Sequence, residues 1–404
     1  MRSAVTILIV CMFAASVRAD DWPQWLGPNR DGVSRETGWD ATRLDVGWHR
    51  EIGQGYSAVS VVGDRVYATG NVDGKDTVWC LDAADGHVVW KQDYVCRGGG
   101  AGFPGTRMQP LVEAGRVFTM SLKGELHCYE AVTGRPVWRV DAAGELGAKG
   151  GRHGFSCHPV KEGKRLFVEL GARGGDVVAL DAATGKVLWQ SGRYDCGHSS
   201  PVLRTLGGKR QLIVWTAQAL VGMNPDDGKE LWTQPTKVQY GCNIPTPVFS
   251  GESVFISSVY YDRGSTLVDL SHGKLRTVWH SKVLQGHCSP SIVYEDHLYG
   301  FDGWVDDKKP GKGVLKCVEL RTGRERWSQK GFGTGSLMIA DGKLIIQGDR
   351  GLLAVAEADP RGFKQISSAE VLSGRCWNMP VLANGRVYCR SWEGRLVCVD
   401  VRKK

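Results

Sequence analysis

The run Val177-Val178-Ala179-Leu180-Asp181-Ala182-Ala183-Thr184-Gly185-Lys186-Val187-Leu188-Trp189 decides the fold. Apolar residues lead into an acid, a small-residue turn with Gly four positions on, and a second apolar run ending in Trp, which reads as a β-hairpin. Gly185 supplies the positive φ a tight turn needs, and Asp181 accepts hydrogen bonds from the turn amides, so this acid is structural. Weaker copies run from Asp82 to Trp90, Glu130 to Trp138, Asn224 to Trp232, Asp269 to Trp279, Glu319 to Trp327 and, degraded, Glu357 to Ile366. A second series of Gly-centred turns opens short apolar strands at Gly63, Gly115, Gly163, Gly208, Gly251, Gly342 and Gly385, with Glu295-Asp296 standing in the sixth place without a Gly. The period of about 42 to 51 residues marks an array of one β-unit.

Each unit holds four short runs with period-2 alternation and no helical pattern, so each is a four-stranded antiparallel meander. One such sheet cannot bury its Trp alone, and units stacked face to face around an axis form a β-propeller. Trp48, Trp90, Trp138, Trp189, Trp232, Trp279 and Trp327 are expected to dock between neighbouring blades. Burying about 200 Å² of indole contributes at most about 5 kcal/mol each. The last unit, Pro380 to Asp400, has three strands and no Trp, whereas Val46-Gly47-Trp48 is an orphan outer strand. Together they complete a blade and remove the open edge, which gives an eight-bladed all-β propeller closed by an N-terminal strand.

Residues 1–19 carry an early Arg, an apolar run from Ala4 to Val17 and a Val17-Arg18-Ala19 stretch suited to cleavage before Asp20, the pattern of a secretory signal peptide too short to span a membrane. The expected organisation is therefore a leader (1–19), a Trp-, Gly- and Pro-rich extension packed against the ring (20–45) and the propeller (46–404), in a monomeric protein exported to the periplasm or cell envelope. Losing Arg2 and Arg18 lowers the formal charge from +8 to about +6, spread without a basic block, so nothing points to nucleic acid. The 42% hydrophobic fraction suffices for one large domain, and 54 glycines match the turns of eight blades.

The string from Ala179 to Trp189 resembles the tryptophan-docking repeat of pyrroloquinoline-quinone (PQQ) propellers, and its weaker copies cover nearly all of the mature chain. That family has two branches: quinoprotein dehydrogenases, and non-enzymatic propellers such as BamB, a scaffold of outer-membrane barrel assembly. The opening Trp22-Pro23-Gln24-Trp25-Leu26-Gly27-Pro28-Asn29-Arg30-Asp31-Gly32 is similar to that of exported bacterial PQQ-like repeat proteins. The enzymatic branch implies PQQ on Ca²⁺ or a lanthanide, a disulfide of adjacent cysteines and an Asp base. This chain has no Cys-Cys pair, and no Glu, Asn and Asp set carries over as metal ligands.

In such blades the second-to-third strand loops and the blade-to-blade connections share one face. Here that face carries the long segments Cys96 to Arg107, Ala142 to Phe155 and Asp302 to Gly313, and function is expected there. The segments leading into the innermost strands hold His153, Cys157-His158, Cys196-Gly197-His198, Cys242-Asn243, His287-Cys288 and Cys376-Trp377, converging on an axial funnel. Two readings stay open for Cys157, His158, Cys196, His198, Cys242, His287, Cys288 and Cys376: transition-metal or haem ligands, or buried thiols and disulfides without a CxxC or haem spacing. Arg107, His153, His158, His198, Asn243, His287, Trp304 and Trp377 are the candidate ligand- or partner-binding residues. Cys80, Cys128, Cys317 and Cys398 occupy the small position of Ala179 and are packing residues.

The run from Gly98 to Gly102 lacks the Lys-Ser/Thr and helix of a phosphate loop, and Asp306, Asp307, Lys308 and Lys309 read as a solvated loop tip. Ser156, Ser199, Ser200 and Ser289 lie near His residues without a nucleophile elbow. The expectation is a non-enzymatic exported scaffold that binds a protein, peptide or small ligand on its long-loop face, with no catalytic residue and no cofactor. The alternatives are a PQQ- or metal-dependent oxidoreductase, with Ca²⁺ or another metal, and a carbohydrate-binding propeller.

Overall fold

The structure, a computed structural model, describes residues 20–98, 102–260, 263–271, 275–305 and 312–403. The leader, residues 99–101 of the Gly98 to Gly102 run and the loop tip Asp306 to Lys309 lie outside the described residues. Eight four-stranded antiparallel sheets follow one another: blade 1 (60–95), blade 2 (111–141), blade 3 (160–191), blade 4 (202–235), blade 5 (248–281), blade 6 (292–329), blade 7 (336–370) and blade 8 (381–400 with 45–51). Blade 8 is closed as expected: the strand Asp45–Glu51 pairs antiparallel with Arg395–Asp400, Trp48 opposite Cys398. One five-residue α-helix, Ala142–Leu146, interrupts the β pattern in the connection from blade 2 to blade 3. Among the described residues no helix is long and apolar enough to cross a membrane.

The turns joining the first and second strands are tight because they use left-handed residues. Ala114-Gly115, Asp341-Gly342 and Asn384-Gly385 each place two successive residues at positive φ, the backbone of a type I′ hairpin. Blade 6 keeps the same geometry without a glycine, with Glu295 at φ 46° and Asp296 at φ 61°.

The docking tryptophans hold neighbouring blades together by a shared geometry. Trp48, Trp90 and Trp138 donate their indole N–H to the backbone oxygens of Ala83, Ala131 and Ala182, each in the outer hairpin of the next blade. Trp189, Trp279 and Trp327 do the same to Pro225, Leu320 and Asp359. Each of the first five rings in this pattern that meets a glycine lies against it so closely that a Cβ on Gly86, Gly134, Gly185, Gly228 or Gly323 would fall 2.5 to 2.9 Å from the indole. Gly185 is thus fixed twice, by its φ of 74° and by Trp138. Trp232 packs against the cluster shared by blades 4 and 5, but its N–H goes to Gln211 Oε1 within its own blade, at 2.7 Å.

The extension does more than pack against the ring; it threads the axis and touches every blade. Trp22, fully buried, exchanges backbone hydrogen bonds with Val61 of blade 1, and Pro23 O accepts from Val112 N of blade 2. Arg30 donates to Lys161 O of blade 3, while Arg204 of blade 4 donates to Asn29 O and Arg30 O. Trp25 donates to Thr246 Oγ1 ahead of blade 5, and Gly32 abuts Ile292 of blade 6. Val33–Ser34 adds a parallel strand to Ser336–Ala340 of blade 7, and Glu36 accepts from Asn384 N and Gly385 N of blade 8. The segment closes the channel from the short-turn side, and Trp25 at its inner end becomes the floor of the funnel above.

Candidate functional site

Above Trp25 the segments leading into the inner strands surround a cavity of about 530 Å³. It is lined by Arg107, His153, His158, His198, Cys242, His287, Cys288, Trp304 and Trp377 from the candidate set. Trp25, Tyr56, Phe103, Arg152, Tyr240 and Tyr260 join them from outside that set. Asn243 lies behind the wall instead, fully buried, its side-chain amide donating to Trp215 O and Thr216 O while its oxygen accepts from His198 N. Cys157 and Cys196 are also buried behind the wall, their thiols directed at Glu169 O at 3.1 and 3.8 Å, and Cys376 is fully buried against Gly374 O. The eleven cysteines of the described chain are free thiols, and Cys80, Cys128, Cys317 and Cys398 are packed at 0 to 1% exposure.

The walls are aromatic. Trp25 stacks on His158 at 4.3 Å and 3°, Trp304 on His287 at 4.7 Å, and Tyr56 on Trp377 at 5.6 Å. Phe103 meets His153 edge-on, and Tyr260 meets Trp304 edge-on at 4.7 Å. Arg375 sits behind this wall, over Trp377 and Trp392, with Nη1 donating to the Tyr56 hydroxyl at 2.7 Å.

Burial lowers the pKa of His158 and His198 to about 3 and that of His287 to about 4, so all three imidazoles are neutral at pH 7. Backbone N–H groups assign the tautomers of His287 and His198. His287 Nδ1 accepts from Val305 N at 2.9 Å, leaving Nε2–H to donate to the Tyr260 hydroxyl at 3.1 Å. His198 Nε2 accepts from His153 N, leaving Nδ1–H to donate to Ser156 Oγ at 2.7 Å. Ser200 Oγ accepts from His158 N and pairs with His158 Nδ1, both at 2.9 Å, and His158 Nε2 is buried without a partner.

The acceptor nitrogens of His198 and His287 are occupied within the protein, and Cys157, Cys196 and Cys376 lie outside the cavity lining, while His158, Cys242 and Cys288 stand along it. Among the described residues the one three-ligand grouping within reach of a single ion is Asp82, Asp85 and His87, in an outer hairpin of blade 1. The Ser156–His198 pair has no carboxylate orienting the imidazole, because His198 Nε2 takes a backbone N–H, so a relay of the triad type is not assembled. No Asp or Glu lies among the described lining residues; Ca²⁺ needs six to eight oxygen ligands, several of them charged, so a metal-bound quinone does not fit this donor set.

The profile of the family described as outer membrane protein assembly factor BamB matches residues 32–92 and 95–329. The chain belongs to the BamB family. It is 23% identical to outer membrane protein assembly factor BamB of Shewanella oneidensis over 329 residues, 75% of this chain and 76% of that protein. Among solved structures, BamB from Moraxella catarrhalis covers 88% of this chain and 99% of its own at a TM-score of 0.63 and 16% identity. Quinohemoprotein alcohol dehydrogenase from Comamonas testosteroni covers 97% of this chain and 82% of its own at a TM-score of 0.69 and 14% identity. At those identities the two structures show the shared propeller fold alone.

Sequence reasoning missed Trp25, Tyr56, Phe103, Arg152, Tyr240 and Tyr260. Trp25 carried a signal, two tryptophans three apart in a segment with no strand pattern; the others sit in loops with no periodicity to place them.

Proposed function

We propose that this BamB-family chain is a non-enzymatic scaffold of the cell envelope that serves outer-membrane protein assembly by docking a protein partner on its long-loop face. The family match carries the reading, and the asymmetry of the two faces supports it. The first-to-second strand turns are tight hairpins, whereas the opposite face presents Tyr240 at 50% and Trp304 at 48% exposure, with Arg152 over the Tyr240 ring at 4.4 Å. Exposed aromatics beside arginine are the usual anchors of a protein interface. On this reading the leader (1–19) directs export, cleavage near Ala19 frees a monomer in the periplasm, the extension (20–45) serves as a fixed part of the propeller (46–404), and no cofactor takes part. Deleting the gene in its host should lower the amount of assembled outer-membrane β-barrel proteins, with restoration by the wild type and not by a Tyr240→Ala, Trp304→Ala variant. Unchanged barrel levels in the deletion strain would sink the proposal.

A further inference from the structure

The polar part of the axial cavity's described lining is made of imidazoles, hydroxyls, thiols, an amide and two guanidinium groups, without a carboxylate. His198 and His287 each spend their acceptor nitrogen internally, and their N–H groups are accepted by Ser156 Oγ and by the Tyr260 hydroxyl, which also pairs with Cys242. The Ser156 hydroxyl therefore has its own O–H to offer. The charged groups among the described lining residues are two cations, Arg107 and Arg152.

Arg107 is the telling one. Its Nη2 donates to Phe103 O at 2.6 Å and its guanidinium lies over the Tyr56 ring at 5.4 Å, yet its Nε is buried with no partner. Among the described residues the groups that bear on its charge are Tyr56 and Cys288, not a carboxylate, and burial pushes its pKa below the usual arginine value. A guanidinium drawn out of water is unfavourable until an anion meets it, and its fork suits a carboxylate, which would complete it with charge-assisted bonds. The rest of the wall is largely aromatic: Trp25, Tyr56, Trp304 and Trp377 line the cavity, each braced by a stacked neighbour, and aromatic walls suit a flat apolar ring.

We propose that the axial cavity is a metal-independent binding site for a small aromatic carboxylate, the ring held among these aromatic walls and the carboxylate on Arg107. The cavity's volume of about 530 Å³ lies in the range of small-molecule sites. A cationic ligand is disfavoured by the two guanidinium groups. The inference stands apart from the scaffold reading, since a partner can dock on the rim whether or not the cavity is filled.

The test is isothermal titration calorimetry of the mature chain with 2-naphthoate and with its neutral isostere 2-naphthamide, in buffer containing EDTA. The acid should bind and the amide should bind at least about tenfold more weakly. Arg107→Met, checked for native circular dichroism, should weaken the acid at least about tenfold and leave the amide unchanged. Should that variant fail to fold, the acid-to-amide ratio of the wild type decides alone. Equal affinity for acid and amide, no binding of the acid up to about 10 mM, or binding of the acid that disappears with EDTA would each overturn the proposal.

Discussion

Behind the cavity wall Glu169 and Asp176 are buried carboxyls, each with one oxygen satisfied, by Gly197 N and Tyr194 N, and one without a partner. Burial raises the pKa of Glu169 well above the usual range and that of Asp176 to about 6. A raised folded pKa gives stability that is complete below the unfolded value near 4 and is lost as pH rises through 6, about 3 kcal/mol for Asp176 by neutral pH. The depressed imidazoles act oppositely: their contribution is complete above pH 6.5 and falls on acidification, by about 2 kcal/mol each for His198 and His287 between pH 6.5 and 5. Urea denaturation from pH 4 to 9 should give a maximum near pH 6, and Asp176→Asn should raise stability at pH 8 with little effect at pH 4. A wild-type profile that climbs steadily to pH 9, or an Asn variant less stable at pH 8, would contradict this assignment. At this scale the sequence was partly legible. Cys and His leading into the inner strands are visible as a recurrence, so His158, His198 and His287 could be named. Whether a side chain faces the axis or the interior depends on local twist, which is why Cys242 lines the cavity and Cys157 does not.

The hairpin from Val177 to Trp189 shows how an element can be written in sequence for two reasons at once. Gly185 answers to its own φ and to Trp138 of the preceding blade, whereas Gly163, at φ 57°, has nothing within 4 Å of a built Cβ. Gly163→Ala should therefore cost only the left-handed backbone penalty, about 1–2 kcal/mol. Gly185→Ala should cost that and about 1–3 kcal/mol more, because the indole must move and its bond to Ala182 O is strained. Equal losses in denaturant unfolding would mean that the glycine repeat is a turn signal alone. The acid-to-Trp spacing made these elements readable from one chain. The partner of Trp232 was not, since Gln211 lies in the same blade and no repeat encodes that bond.

Over the whole molecule, the blade count and the closing strand were legible because both ends of the chain are incomplete units that complement each other. The plug was not, because residues 20–36 obey no periodicity and find their partners one blade at a time. Ring closure has a second device that the repeat hides: Arg390 of blade 8, 2% exposed, donates to Ser57 O, Ser57 Oγ, Thr69 O and Gly53 O at the seam with blade 1. On the proposed reading, recognition belongs to the long-loop face. The most direct test places a photo-crosslinking residue at Trp304 or Tyr240 on that face, or at Lys164 or Lys209 on the short-turn face, in the native envelope. A discrete adduct with an outer-membrane assembly component is expected from the first pair and none from the second; adducts from the short-turn face alone, or none from either face, would rule out docking on the long-loop face.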